Sequence, residues 1–165
     1  MASSNRYSIL LYQTEETTAL EKKAIETFLS ARVDGILASV AKETVDFNHY
    51  QDLQKRHIPL VLFDRTNDAL NVPSVTIDDY KGAFLATEHL IKKGYQKIAH
   101  VLGPQHIKSF RERSRGYEDA LHKHKLKVIP ELIYQGDISI ESGKAAVDYF
   151  FNQPIIPDAV FAVED

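Results

Sequence analysis

"VTIDDYKGAFLATEHLIKKGYQKIAHVLGP", residues Val75 to Pro104, is the stretch whose reading decides the fold. It opens on the end of a short apolar run, 74–77, and passes through the acid pair Asp78-Asp79. A helical pattern over 79–93 follows, and a second apolar run, 97–103, stops at Gly103-Pro104. Strand, helix and strand in that order make the unit from which parallel sheets are wound.

The unit repeats on both sides of this stretch. Apolar runs predict strands at 7–12, 33–40 and 58–64 before it, and at 131–137 and 159–165 after it. Helices are expected at 15–31, 44–57, 109–124 and 139–152; in the first, Leu20, Ala24 and Phe28 recur at helical spacing with Ile25 and Leu29 beside them. The strands are continuous apolar runs rather than alternating ones, the pattern of a sheet covered on both faces. The fold class is therefore α/β with doubly wound parallel sheet. In such sheets ligands bind beyond the carboxyl ends of the strands. That rule selects Gln13-Thr14, Ser39 to Thr44, Asp64-Arg65, Asp78-Asp79, the segment from His100 to Tyr117, Asp137-Ile138 and Glu164-Asp165.

Composition narrows the function classes. The 165 residues are 44% hydrophobic and 26% charged, as in a folded soluble protein. Net charge is −3, which argues against a general polyanion binder, although residues 91–127 hold ten of the basic residues. With no cysteine there is no disulfide framework, zinc-thiolate site or cysteine nucleophile; a reducing cytoplasm is the expected setting. The opening "MASSNRYSILLYQ" lacks the features of an export signal, and no apolar run approaches the ~20 residues of a membrane span, so no membrane partner is expected.

The basic segment "HVLGPQHIKSFRERSRGY" (100–117) admits three readings. A phosphate loop would need several glycines, but Gly103 stands alone before Pro104, which has no N–H to offer. A nucleic-acid face would need its cations aligned, whereas Arg111, Arg113 and Arg115 are two apart on a helix and point in different directions. Ser109 and Glu112 read as a capping box starting that helix. The seven histidines are scattered, with His122 and His124 unable to share an ion, so no metal is expected. The third reading is a cation offered to a small ligand. Arg113 falls where it could serve, in the first turn of a helix beyond a strand's carboxyl end; by position alone a salt bridge and a ligand contact are equally open.

Taken together, "RVDGILAS", "IPLVLFDR", the Val75–Pro104 run, "RERSRGYEDAL" and "GDISIESGKAA…PDAVFAVED" resemble, in order and spacing, the effector-binding core of the LacI/GalR family of bacterial transcription repressors. The resemblance runs from about Tyr7 to Asp165. It implies a periplasmic-binding-protein-like fold of type I, with two lobes closing on a sugar-like or nucleoside-like effector. Residues 1–77 would form one incomplete lobe and 78–165 the other. The implied ligand-binding residues are Asp64 after "VLFD", Ser109 and Arg113 after "LGP", Ile138 where the family often has a stacking aromatic, and Glu164 in place of the family's usual Asn; Asp165 matches the acid that follows.

The resemblance also implies pieces that this stretch lacks: a helix-turn-helix head, a hinge, the first core strand and helix, and everything after "VED". That first strand would lie between the strands expected at 7–12 and 33–40, so the chain reads as a fragment or an internally started product. The expected function is the ligand-sensing, dimerising core of a cytoplasmic repressor, touching operator DNA only through the missing head. A periplasmic sugar-binding protein of a transport system is the alternative. An enzyme is not expected, because no nucleophile, phosphate loop or metal set survives inspection, and no cofactor is implied.

Overall fold

A computed structural model describes residues 7–164. They fall into two compact units, one ending at Thr76 and the other beginning at Ile77.

In the first unit, helix α1 (Thr18–Ser30) leads to strand β1 (Ile36–Ala38), helix α2 (Asn48–Lys55), strand β2 (Leu60–Phe63) and strand β3 (Ser74–Val75). The strands form a parallel sheet in the order β1-β2-β3, with Ile36 opposite Leu60 and Phe63 opposite Val75. Ile36, Leu60 and Leu62 bury one face of the sheet against Ile25 of α1 and Tyr50 and Leu53 of α2. The other face is open among the described residues, with Leu37 73% and Val75 68% exposed. The two helices cover only the side that carries Ile36, Leu60 and Leu62.

The strand expected at 7–12 is also absent. The segment makes no ladder with β1, and Leu11 is 92% exposed. Strand propensity without a partner to accept its backbone bonds does not make a strand. Tyr12 alone is anchored, edge-on to Phe28 of α1.

The second unit runs α3 (Asp79–Lys92), β4 (Ile98–Leu102), α4 (Lys108–Lys123), β5 (Ile133–Gln135), α5 (Ile140–Phe151) and β6 (Ala159–Ala162). Its parallel sheet has the order β5-β4-β6, with His100 opposite both Ile133 and Phe161. Central β4 is covered on both sides. Ala99 packs with Ala146 and Phe150 of α5, and Ile98 with Tyr117 and Leu121 of α4 and Leu90 and Ile91 of α3. Here the alternation of strands and helices produces the three layers the sequence implied.

Four helices stop by the same device. After α1, α2, α3 and α4 the chain takes a left-handed residue, Arg32, His57, Gly94 and Lys125 respectively. The next amide reaches back to the helix: Val33 to Phe28, Ile58 to Leu53, Tyr95 to Leu90 and Leu126 to Leu121. Only Gly94 adopts this conformation without a Cβ penalty. Replacing exposed Arg32, His57 or Lys125 by glycine is expected to raise stability by about 0.5–1 kcal/mol each, read as a higher urea midpoint. A fall at all three positions would contradict the Schellman assignment.

Candidate effector-binding edges

Residues just past the strand ends build one polar edge in each unit. In the first unit, the backbone turns sharply after β2, and Asp64 sits at φ 56 with its amide on the Val75 carbonyl. The exposed carboxylate of Asp64 accepts a hydrogen bond from the Ser39 hydroxyl, 3.4 Å away, in the loop that follows β1. A left-handed non-glycine residue at a strand's carboxyl end is the kind of local strain that gathers at binding sites.

The loop after β1 is held from below by acids at the start of α1. The Glu21 carboxylate is buried and accepts from the Ala41 amide at 2.6 Å, the Thr44 hydroxyl at 2.8 Å and the His49 ring at 2.7 Å. Burial works to raise its pKa, but the hydrogen bonds from His49, Ala41, Thr44 and Tyr50 outweigh it and hold the carboxyl below its ordinary value. The same environment pushes the Tyr50 phenol up, through burial first and the Glu21 charge second. Glu16 takes the Lys42 amide at 2.8 Å and pairs with Arg65.

In the second unit three elements meet around Arg113. Its Nε donates to Asp79 at 2.8 Å, at the start of α3, and its Nη1 donates to the Val163 carbonyl at 2.7 Å, just past β6. Those bonds engage two of the five guanidinium N–H groups and fix the plane of the fork. The salt bridge left open by position is therefore formed. Arg113 also lies in the second turn of α4 rather than the first, because the helix begins at Lys108.

That earlier start corrects the reading of Ser109 as well. The N-cap is Ile107, which offers no side-chain bond, so Ser109 is a buried residue inside the first turn and Glu112 pairs with Arg115. There is no capping box. Ile138 lies between β5 and α5 at φ 63, a conformation that is a true outlier for a β-branched side chain. It packs on the apolar cluster of Ile107, Phe110 and Val163. Glu164 is exposed directly after that cluster; Asp165 lies outside the described residues. Ser109, Arg113, Ile138 and Glu164 are thus brought to one edge of the second unit, while Asp64 belongs to the edge of the first.

Two features were missed by sequence reasoning. Asp79 was noted only as an acid past a strand, not as the partner of Arg113. The glutamates that hold the loop 39–44 gave no signal beyond their place in a helix pattern. Among the described residues no group of three His, Asp or Glu is arranged to hold a metal ion, and no helix is long and apolar enough to cross a membrane.

Comparison with known proteins bears on the fold and the family. The family described as periplasmic binding proteins and sugar binding domain of LacI family matches residues 2–165. The ribose operon repressor of Halalkalibacterium halodurans is 27% identical over 165 residues, which is all of this chain and 47% of the repressor. Catabolite control protein A of Priestia megaterium is 30% identical over 166 aligned positions, covering all of this chain and 49% of that protein. The chain spans about half the length of these curated relatives. Among solved structures, the transcription regulator CcpA of Lactococcus lactis superposes with a TM-score of 0.86 at 29% identity, covering 98% of this chain and 58% of that one.

Proposed function

The chain belongs to the family of periplasmic binding proteins and LacI-type sugar-binding domains, and from that premise we propose that it is the effector-sensing core of a cytoplasmic DNA-binding repressor. Its relatives by sequence are transcriptional repressors and regulators rather than enzymes. In this reading the effector is small and sugar-like or nucleoside-like, and the candidate ligand-binding residues are Asp64 on the edge of the first unit and, on the edge of the second, Ser109, Arg113, Ile138 and Glu164. Effector binding shifts the balance between two arrangements of a homodimer, and with it the DNA-binding heads. Operator contact requires a helix-turn-helix beyond these residues.

The observation that carries the proposal is the fixed guanidinium of Arg113, oriented by Asp79 and the Val163 carbonyl at the carboxyl edge of a parallel sheet. A pre-oriented planar donor suits the paired oxygens of a polyol better than a freely moving lysine would. Ser109 supplies a hydroxyl about one turn before it, and Ile138 an apolar surface in place of an aromatic ring.

The test is a thermal-shift screen of sugars, D-ribose among them, and nucleosides. A ligand at a hundred times its Kd stabilises by about 2.7 kcal/mol. Arg113→Ala is expected to weaken the responding ligand at least tenfold, corresponding to the loss of about 1.5–3 kcal/mol for bonds to a charged group. An unchanged ligand-induced shift in that variant, whatever its own melting point, would place the site elsewhere.

A further inference from the structure

The loop between β1 and α2 has no regular secondary structure, yet a run of its amides is hydrogen-bonded. Five consecutive amides find partners: Val40 on the Arg65 carbonyl, Ala41 on the Glu21 carboxylate, Lys42 on the Glu16 carboxylate, Glu43 on the Glu16 carbonyl and Thr44 on the Ala41 carbonyl. Three of those acceptors come from the short segment Glu16–Glu21 at the entry to α1. The turn that aims Glu16 is itself strained, with Glu15 at φ 47 and Glu16 at φ 63. Thr17 caps the helix by accepting from the Leu20 amide, which sets the height of Glu21 one turn on. A buried carboxylate receiving four donors is costly to place and strongly directional once placed. What it directs is the loop that begins with Ser39, the residue bonded to Asp64.

We propose that Glu21, assisted by Glu16, is a positioning residue for effector binding, holding the loop 39–44 so that Ser39 and Asp64 present one polar edge. The inference rests on the functional reading above, since it supposes that this edge meets a ligand. It adds a residue that never touches that ligand. Glu21→Gln keeps the size of the side chain but removes the charge and leaves one acceptor oxygen for the Ala41 amide, the Thr44 hydroxyl and the His49 ring, which now share two. Glu21→Asp keeps the charge but shortens the reach.

The experiment compares wild type, Glu21→Gln and a core variant, Leu53→Ala, that lowers the stability of the same unit while removing none of the hydrogen bonds that hold the loop. Amide hydrogen exchange is followed along the full chain, and affinity is measured, well below the melting range, for whichever sugar or nucleoside of the screen stabilises wild type. Glu21→Gln is expected to speed exchange at Ala41, Lys42 and Thr44 at least tenfold while β2 stays protected, and to weaken the ligand at least fivefold. Leu53→Ala is expected to lower the melting point with the affinity unchanged. Uniform acceleration across the unit, or an affinity equal to wild type with the loop loosened, would reduce Glu21 to a structural residue and overturn the inference alone. If no probe shifts wild type, the functional reading fails and the inference falls with it.

Discussion

Gly116→Ala is expected to destabilise the second unit by about 3 kcal/mol, near the upper end of typical overpacking costs, although alanine is the better helix former. Gly116 lies inside α4, where α3 crosses it. A Cβ at that position would stand 2.3 Å from the Tyr80 carbonyl oxygen, 2.9 Å from the Phe84 amide nitrogen and 3.1 Å from the Ala83 Cβ. The first two are backbone atoms of α3, one helical turn apart, and no rotamer change can move them. The surroundings offer no slack, because Ala83, Thr87 and Ala120 are all buried. The helices must separate, and every contact along their interface loosens with them. Gly143→Ala in α5 is the control. There an added Cβ meets nothing within 4 Å, and the change should stabilise by up to about 1 kcal/mol, the ordinary glycine-to-alanine gain in a helix. Urea unfolding of both variants tests the pair. If Gly116→Ala unfolds at or above the wild-type midpoint, the helices are not held as close as this geometry requires.

Gly116 also marks the boundary of what could be read from the residues. Strand–helix alternation is a one-dimensional signal, and it placed the strands and α-helices of the second unit, where every strand finds a partner, β5 and β6 each against β4. In the first unit the same signal fails at 7–12, where the run has no adjacent strand among the described residues to receive its backbone bonds. Among the candidate site residues, those just past strand ends could be located by rule, and Asp64, Ile138 and Glu164 do lie there. Long-range pairs such as Arg113 with Asp79, 34 residues apart, or Glu21 with Thr44 and His49, leave no local trace. The same is true of the close approach at Gly116, since nothing beside a helical glycine in the chain says which backbone lies against it. Ser109 shows the limit of motif reading. The S-x-x-E pattern is present, but the helix starts one residue earlier and makes no use of it.

The pH dependence of stability should turn on His100. The ring lies in the centre of β4, packed against both Tyr117 and Phe161 with centroids 4.6 and 4.9 Å away. Its Nδ1 sits 2.9 Å from the Phe161 carbonyl, an atom that only accepts, so the proton is on Nδ1. Nε2 is buried with no partner. A second proton would create an N–H with no acceptor in an apolar layer, and burial accordingly lowers the pKa from 6.5 to about 4, against a smaller opposing effect of the Phe161 bond. As pH falls below 6.5 the unfolded chain takes up a proton at this residue while the folded one does not. Stability is therefore undiminished above pH 6.5 and declines by about 1.4 kcal/mol per pH unit from this group until the folded ring also protonates, near pH 4. His100→Phe removes the titration and keeps a ring against Tyr117 and Phe161. It should be less stable than wild type at pH 7.5, because the Phe161 carbonyl loses its donor. The gap should narrow steadily between pH 6.5 and 4.5 as the wild type loses its advantage. Urea unfolding of the two proteins across that range decides the matter: parallel curves would mean that His100 is protonated in the folded state as readily as in the unfolded chain, and that another group governs acid sensitivity.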